Sequence, residues 1–130
     1  MGGRGVRDLG VSLGEYKKIY KISKNIVVIQ QTNQSKRISP PFYSVTPCRV
    51  YAMVRVDEYG KLHLRNITKY NDKRELMFRI DLQQHKKLGA HVHFYVKNEY
   101  KEPTALSRGL SLLLEKVEKD IENRNEDTIL

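Results

Sequence analysis

The sequence predicts an α+β fold: an antiparallel meander of four to five strands packed against a C-terminal amphipathic helix. Three observations predict it. Segments between Arg49 and Lys97 alternate apolar and polar residues with period two, short turn signals separate most of them, and Leu106, Leu110, Leu113, Leu114, Val117 and Ile121 recur at helical spacing.

In chain order, residues 1–14 carry several glycines and scattered apolar side chains, which reads as a flexible N-terminal arm bearing Arg4 and Arg7. A single domain follows over 15–125, with 126–130 as a C-terminal tail. Ser12 and Glu15 form a capping box, and with Tyr16, Ile19 and Tyr20 behind them they predict a helix over Ser12–Ser23. Ile26 to Ile29 is a β-branched run suited to a buried strand. Gln30 to Pro47, rich in Pro, Ser and Asn, reads as a long loop carrying Lys36 and Arg37. Arg49–Asp57, Lys61–Lys69, Glu75–Leu82 and Ala90–Lys97 are the meander strands, with turns at Glu58-Tyr59-Gly60 and Tyr70–Lys73. Thr104 is the expected N-cap of the helix, which runs to about Arg124.

Composition narrows the function classes. A chain of 130 residues is long enough for one core, and its formal charge of +9 implies attraction to a polyanion, nucleic acid first. The alternative is a charge that only keeps the surface solvated. Acids outnumber bases between Glu115 and Asp127, so the remainder is more basic than the average. No apolar run approaches the roughly 20 residues of a membrane span. The N-terminus has no apolar signal core, and Val6 breaks the myristoylation pattern after Gly2. A cytoplasmic protein without membrane contact is expected. Cys48, the single cysteine, excludes an intramolecular disulfide and reads as a small core residue of the first meander strand.

Period two assigns Leu76, Phe78, Ile80, Leu82, Val92, Phe94 and Val96 to one face, which the helix covers. The opposite face is expected to stay open, with Arg49, Tyr51, Arg55, His63, Arg65, Arg79, Asp81, His91, His93 and Tyr95 upon it. Arg49, Arg55, Arg65, Lys36 and Arg37 are the candidates for phosphate contacts, and Tyr51 and Tyr95 for stacking on bases.

The opening Gly-Gly-Arg-Gly, Arg49-Val-Tyr51, Asp57-Glu-Tyr-Gly-Lys-Leu62, Ile67-Thr-Lys-Tyr70, Ile80-Asp81 and His91-Val-His93-Phe-Tyr95 carry a resemblance. Together they resemble a group of small phage and prophage proteins, with related segments in bacterial polymorphic toxins of the barnase, EndoU, colicin and RelE-like nuclease fold. The resemblance implies a helix-plus-meander architecture, a phage-encoded origin and a nuclease site whose pattern falls on Asp81, His85, His91 and His93.

Three chemistries fit these residues. The first is metal-independent RNA cleavage, which makes the chain a candidate endoribonuclease without a cofactor: His91 and His93 serve as acid and base, Arg79 neutralises the phosphate, Asp81 orients an imidazole, and His85 is a third candidate for either role. The second is a metal site at Asp81, His85, His91 and His93, opposed by the charges of Arg79, Lys86 and Lys87. The third is a non-catalytic nucleic-acid-binding or counter-defence (anti-CRISPR-type) protein, whose partners are RNA, the favoured nucleic acid, or a host or defence protein. Beside all three stands a purely structural histidine cluster.

Overall fold

A computed structural model describes residues 16–33, 44, 46–82, 89–96 and 99–129. The N-terminal arm, Lys36, Arg37 and His85 therefore lie outside the described residues. The strands are β1 (Tyr16–Lys21), β2 (Ile26–Gln31), β3 (Val50–Val56), β4 (Leu62–Tyr70), β5 (Leu76–Asp81), β6 (His91–Val96), β7 (Glu99–Tyr100) and β8 (Thr104–Ala105), followed by helix α1 (Arg108–Ile129). The fold class is α+β, as expected, with a larger sheet than expected. Among the described residues the sheet follows chain order from β1 to β7, with β8 beside β7 on the outer edge of β6.

All pairs are antiparallel except β2–β3, which is parallel. No tight turn can join parallel neighbours, because the chain must cross back to the starting end of the sheet. That requirement accounts for the length of the connection between Gln31 and Val50.

Residues 16–21 form a strand, correcting the expected helix. The cause is a β-bulge: Lys18 pairs with Ile29 and Tyr20 with Val28, leaving Ile19 as the extra residue. A bulge shifts the two-residue phase by one. Tyr16 and Tyr20 consequently face opposite sides of the sheet, and a sequence spacing of three and four arises without a helix. The β-branched β2 supplies the partner that overrides the local capping signal.

Two further bulges act alike. Arg65 is the extra residue in the β3–β4 ladder and Met77 in the β4–β5 ladder. The second corrects the placement of Leu76, which pairs with Tyr70 and packs with it, away from Phe78 and Ile80.

Helix α1 covers the first face. Leu114, Val117 and Ile121 are buried against Val28, Ala52, Val54, Ile67, Ile80 and Val92. Fully burying each such side chain contributes about 1.5–3 kcal/mol. The helix starts after Ser107, whose hydroxyl accepts the Leu110 N–H at 3.3 Å. Thr104 belongs to β8 instead, and α1 runs on to Ile129. Asn125 ties the helix to the sheet by accepting the Leu62 N–H (2.8 Å) and donating to the Leu62 carbonyl (2.9 Å). Tyr20 donates to Asp120 at 2.8 Å beneath the Arg124 guanidinium, and burial together with that bond raises the phenol pKa.

The turn before β4 is built by Asp57, whose Oδ1 accepts from the Tyr59 and Lys61 amides, while Gly60 adopts φ +82°. Cys48 is exposed at φ +58° in the turn before β3, which corrects its expected core position. The alternation that begins at Val50 does not extend back through that turn.

No helix among the described residues is long and apolar enough to cross a membrane.

Candidate functional site

The second face of the sheet is largely buried, contrary to the expectation of an open surface. Tyr16, Val27, Ile29, Tyr51, Met53, Tyr70 and Leu76 form a second apolar cluster there. Alternation predicts the side on which a residue lies, and it carries no information about what lies over that side. Tyr51 is fully buried, its hydroxyl 2.9 Å from Ser44 Oγ and its ring edge-on to Tyr70. Tyr95 packs partly buried beside this cluster. Arg49 is buried, and its Nη1 donates to the Lys24 carbonyl at 2.9 Å. Arg49 and Tyr51 thus hold the fold together at positions where surface contacts were expected.

Toward β6 the same face turns polar. Register places Met53, Asn66, Asp81 and His91 in one cross-strand row, and Tyr51, Thr68, Arg79 and His93 in the next. Residues opposite one another in a ladder project to the same side. Four of the five candidate catalytic residues therefore meet: Arg79, Asp81, His91 and His93. The fifth, His85, lies outside the described residues.

Asp81 is the hub. Its Oδ2 accepts from Arg79 Nε at 3.0 Å and lies 2.9 Å from Arg79 Nη2, 3.1 Å from His93 Nε2 and 3.8 Å from His91 Nε2. The two imidazoles stand edge-to-face with centroids 4.8 Å apart. Only 2% of either histidine is exposed, whereas the side chains of Arg79 and Asp81 are each 21% exposed.

His91 Nδ1 lies 2.9 Å from the Gly89 carbonyl. A carbonyl only accepts, so the neutral ring carries its proton on Nδ1 and its lone pair on Nε2. Burial pushes His93 below the ordinary imidazole range, against the Asp81 charge, which pulls it up; Arg79 and His91 add to the lowering. A neutral imidazole beside a carboxylate that orients it is equipped to take up a proton.

Arg55 and Arg65 belong to a different place, a groove at the β3–β4 hairpin shared with Asp57 and His63. Arg55 is exposed and sits across the ladder from His63, whose Nε2 is 2.8 Å from Asp57 Oδ2. That contact holds the Asp57 carboxyl below its usual range. Two polar neighbours of the Asp81 cluster, Asn66 and Thr68, were not foreseen. Both are buried polar residues of β4, flanking the buried Ile67.

Comparison with known proteins finds no matching family model, curated protein or solved structure.

Proposed function

We propose that the protein is a phage-encoded, nucleic-acid-acting domain of the bacterial cytoplasm that cleaves RNA without a metal ion, using His91 and His93 as the proton-transferring pair. The observation that supports this reading is the convergence of two imidazoles, a carboxylate and a guanidinium on adjacent strands β5 and β6. In this reaction one imidazole takes the proton of the ribose 2′-OH, whose oxygen then attacks the neighbouring phosphorus. The bond to the 5′-oxygen breaks, and the other imidazole, in its protonated form, returns a proton to that leaving oxygen. The low pKa of His93 suits it to the base and leaves the acid to His91. Arg79 supplies the positive charge for the phosphate, and Asp81 holds His93 in place.

Because both rings are covered in this conformation, the reading requires the site to open to its substrate. The same burial favours a second reading, a non-catalytic nucleic-acid-binding or counter-defence protein in which the cluster is structural and the net charge of +9 does the work.

Incubating the protein with labelled RNA in excess EDTA separates the two. Metal-independent cleavage that His91→Ala and His93→Ala each reduce at least about a hundredfold, with RNA affinity kept, is the expected result, since acid–base catalysis is worth about 10²–10⁴. Binding without cleavage in the wild type overturns the enzymatic reading in favour of the second.

A further inference from the structure

Among the described residues, Asp81, His91 and His93 are a set of metal-ligating side chains whose donor atoms all lie within 4.8 Å of one another. We propose that these three form a binding site for a divalent transition-metal ion of the zinc class, held by both Nε2 nitrogens and the Asp81 carboxylate. The inference concerns binding and stands whether or not RNA is cleaved.

Geometry is the first argument. Zinc–nitrogen and zinc–oxygen bonds of about 2.0–2.1 Å in a tetrahedron place neighbouring donors about 3.3–3.4 Å apart. The Asp81 Oδ2 separations of 3.1 Å to His93 Nε2 and 3.8 Å to His91 Nε2 bracket that value, and the two imidazole donors, within 4.8 Å of each other, close in around the ion when it binds. Two imidazoles also select against calcium and magnesium, which prefer oxygen throughout.

Pre-orientation is the second. The Gly89 carbonyl takes the Nδ1 proton of His91 and so points the basic Nε2 at Asp81. Backbone carbonyls hold metal-ligating histidines in this way, and ligating carboxylates are themselves hydrogen-bonded, as Arg79 does here for Asp81. When a metal arrives, His93 Nε2 must present its lone pair, so that ring moves its proton to Nδ1 and no proton is lost.

The third argument is independent of these ligands. Asn66 lies directly across the ladder from Asp81, is 96% buried, and its Oδ1 has no hydrogen-bond partner among the described residues. A buried acceptor left open is rare, because it forgoes the hydrogen bond it had in water. A metal-bound water, or the ion itself, would satisfy it. The Arg79 charge works against the ion and lowers the expected affinity below that of structural zinc sites.

The test uses the full chain, stripped with EDTA and desalted, then titrated with cobalt(II) and with zinc(II). One equivalent of cobalt with the intense visible absorption of a tetrahedral centre, displaced by one equivalent of zinc, is the expected result. His91→Ala and Asp81→Asn should each weaken binding at least tenfold, while His63→Ala, at the exposed Asp57 pair, leaves it unchanged. Wild-type binding in both site variants, or no saturable binding by the wild type, overturns the site. Should the variants unfold, nitrogen-15 NMR of the wild type decides: zinc must shift Nε2 of His91 and His93, and resonances that stay in place refute the proposal. Zinc that stimulates RNA cleavage supports this site and overturns the metal-independent mechanism; a stripped protein that cleaves and is inhibited by zinc agrees with both.

Discussion

Asp81→Asn tests the hub of the polar cluster. The substitution keeps the shape and removes the charge that accepts from Arg79 Nε at 3.0 Å, lies 2.9 Å from Arg79 Nη2 and lies 3.1 Å from His93. Ion pairs in full solvent are worth about 0–1 kcal/mol, and breaking a buried pair costs about 3–5 kcal/mol. With both side chains 21% exposed, the pair falls between these limits, and a loss of about 2–3 kcal/mol is expected. An unfolding entropy of roughly 2.1 cal/mol/K per residue converts that loss to a drop in Tm of about 7–11 °C for this chain. Denaturant unfolding of the wild type, Asp81→Asn, Arg79→Gln and the double variant closes a cycle. Its coupling energy should be about 1–2 kcal/mol, because each single variant strands the other partner. Additive losses would show that the two residues do not hold one another, and the account of the cluster would fail.

Three further predictions concern the packing and the surface. Ile121→Ala should cost about 2–5 kcal/mol through the cavity it leaves; Leu112→Ala, on a side chain 55% exposed, should stay within about 0.5 kcal/mol; equal losses would remove the helix from the first face. Tyr20 and Tyr70 have raised phenol pKa values, chiefly through burial. A raised acid stabilises fully below the unfolded value, about 10, so stability should decline as pH rises above it, with Tyr20 and Tyr70 among the tyrosines that ionise only on unfolding in an ultraviolet titration. Ionisation of either one in the folded protein near the ordinary phenol value of about 10 would refute the burial argument. Finally, RNA binding should weaken steeply with salt, and Arg55→Ala and Arg65→Ala, at the hairpin groove, should each flatten the slope by about one unit or less; a slope unchanged in both variants removes that groove from the interface.

The fold was legible where alternation and turn chemistry agree. β3 through β6 follow from period two, and Asp57, Gly60 and Asn71 mark the turns between the first three of them. Alternation failed at the bulges, because an extra residue such as Ile19 or Met77 changes phase without any compositional mark. That is why β1 resembled a helix and Leu76 was assigned to the wrong face. The parallel β2–β3 pairing was invisible, since only tertiary contacts choose it. At the site, the shared side of Arg79, Asp81, His91 and His93 could be read from the chain, and their cover could not. Asn66 and Thr68 carried too little signal in a strand already marked by His63, Arg65 and Lys69.

The parallel junction between β2 and β3 also has a kinetic consequence. Strands β3 to β6 zip together through neighbouring antiparallel pairs, whereas β2 joins Val50–Val54 only after the chain between Gln31 and Val50 has closed. Loop-closure entropy must be met before such distant contacts repay it, and it slows folding. The β1–β2 hairpin therefore docks late, and substitutions at Val27 or Ile29 should speed unfolding far more than they slow refolding. The polar cluster on β5 and β6 would then take shape before one edge of the sheet has been added.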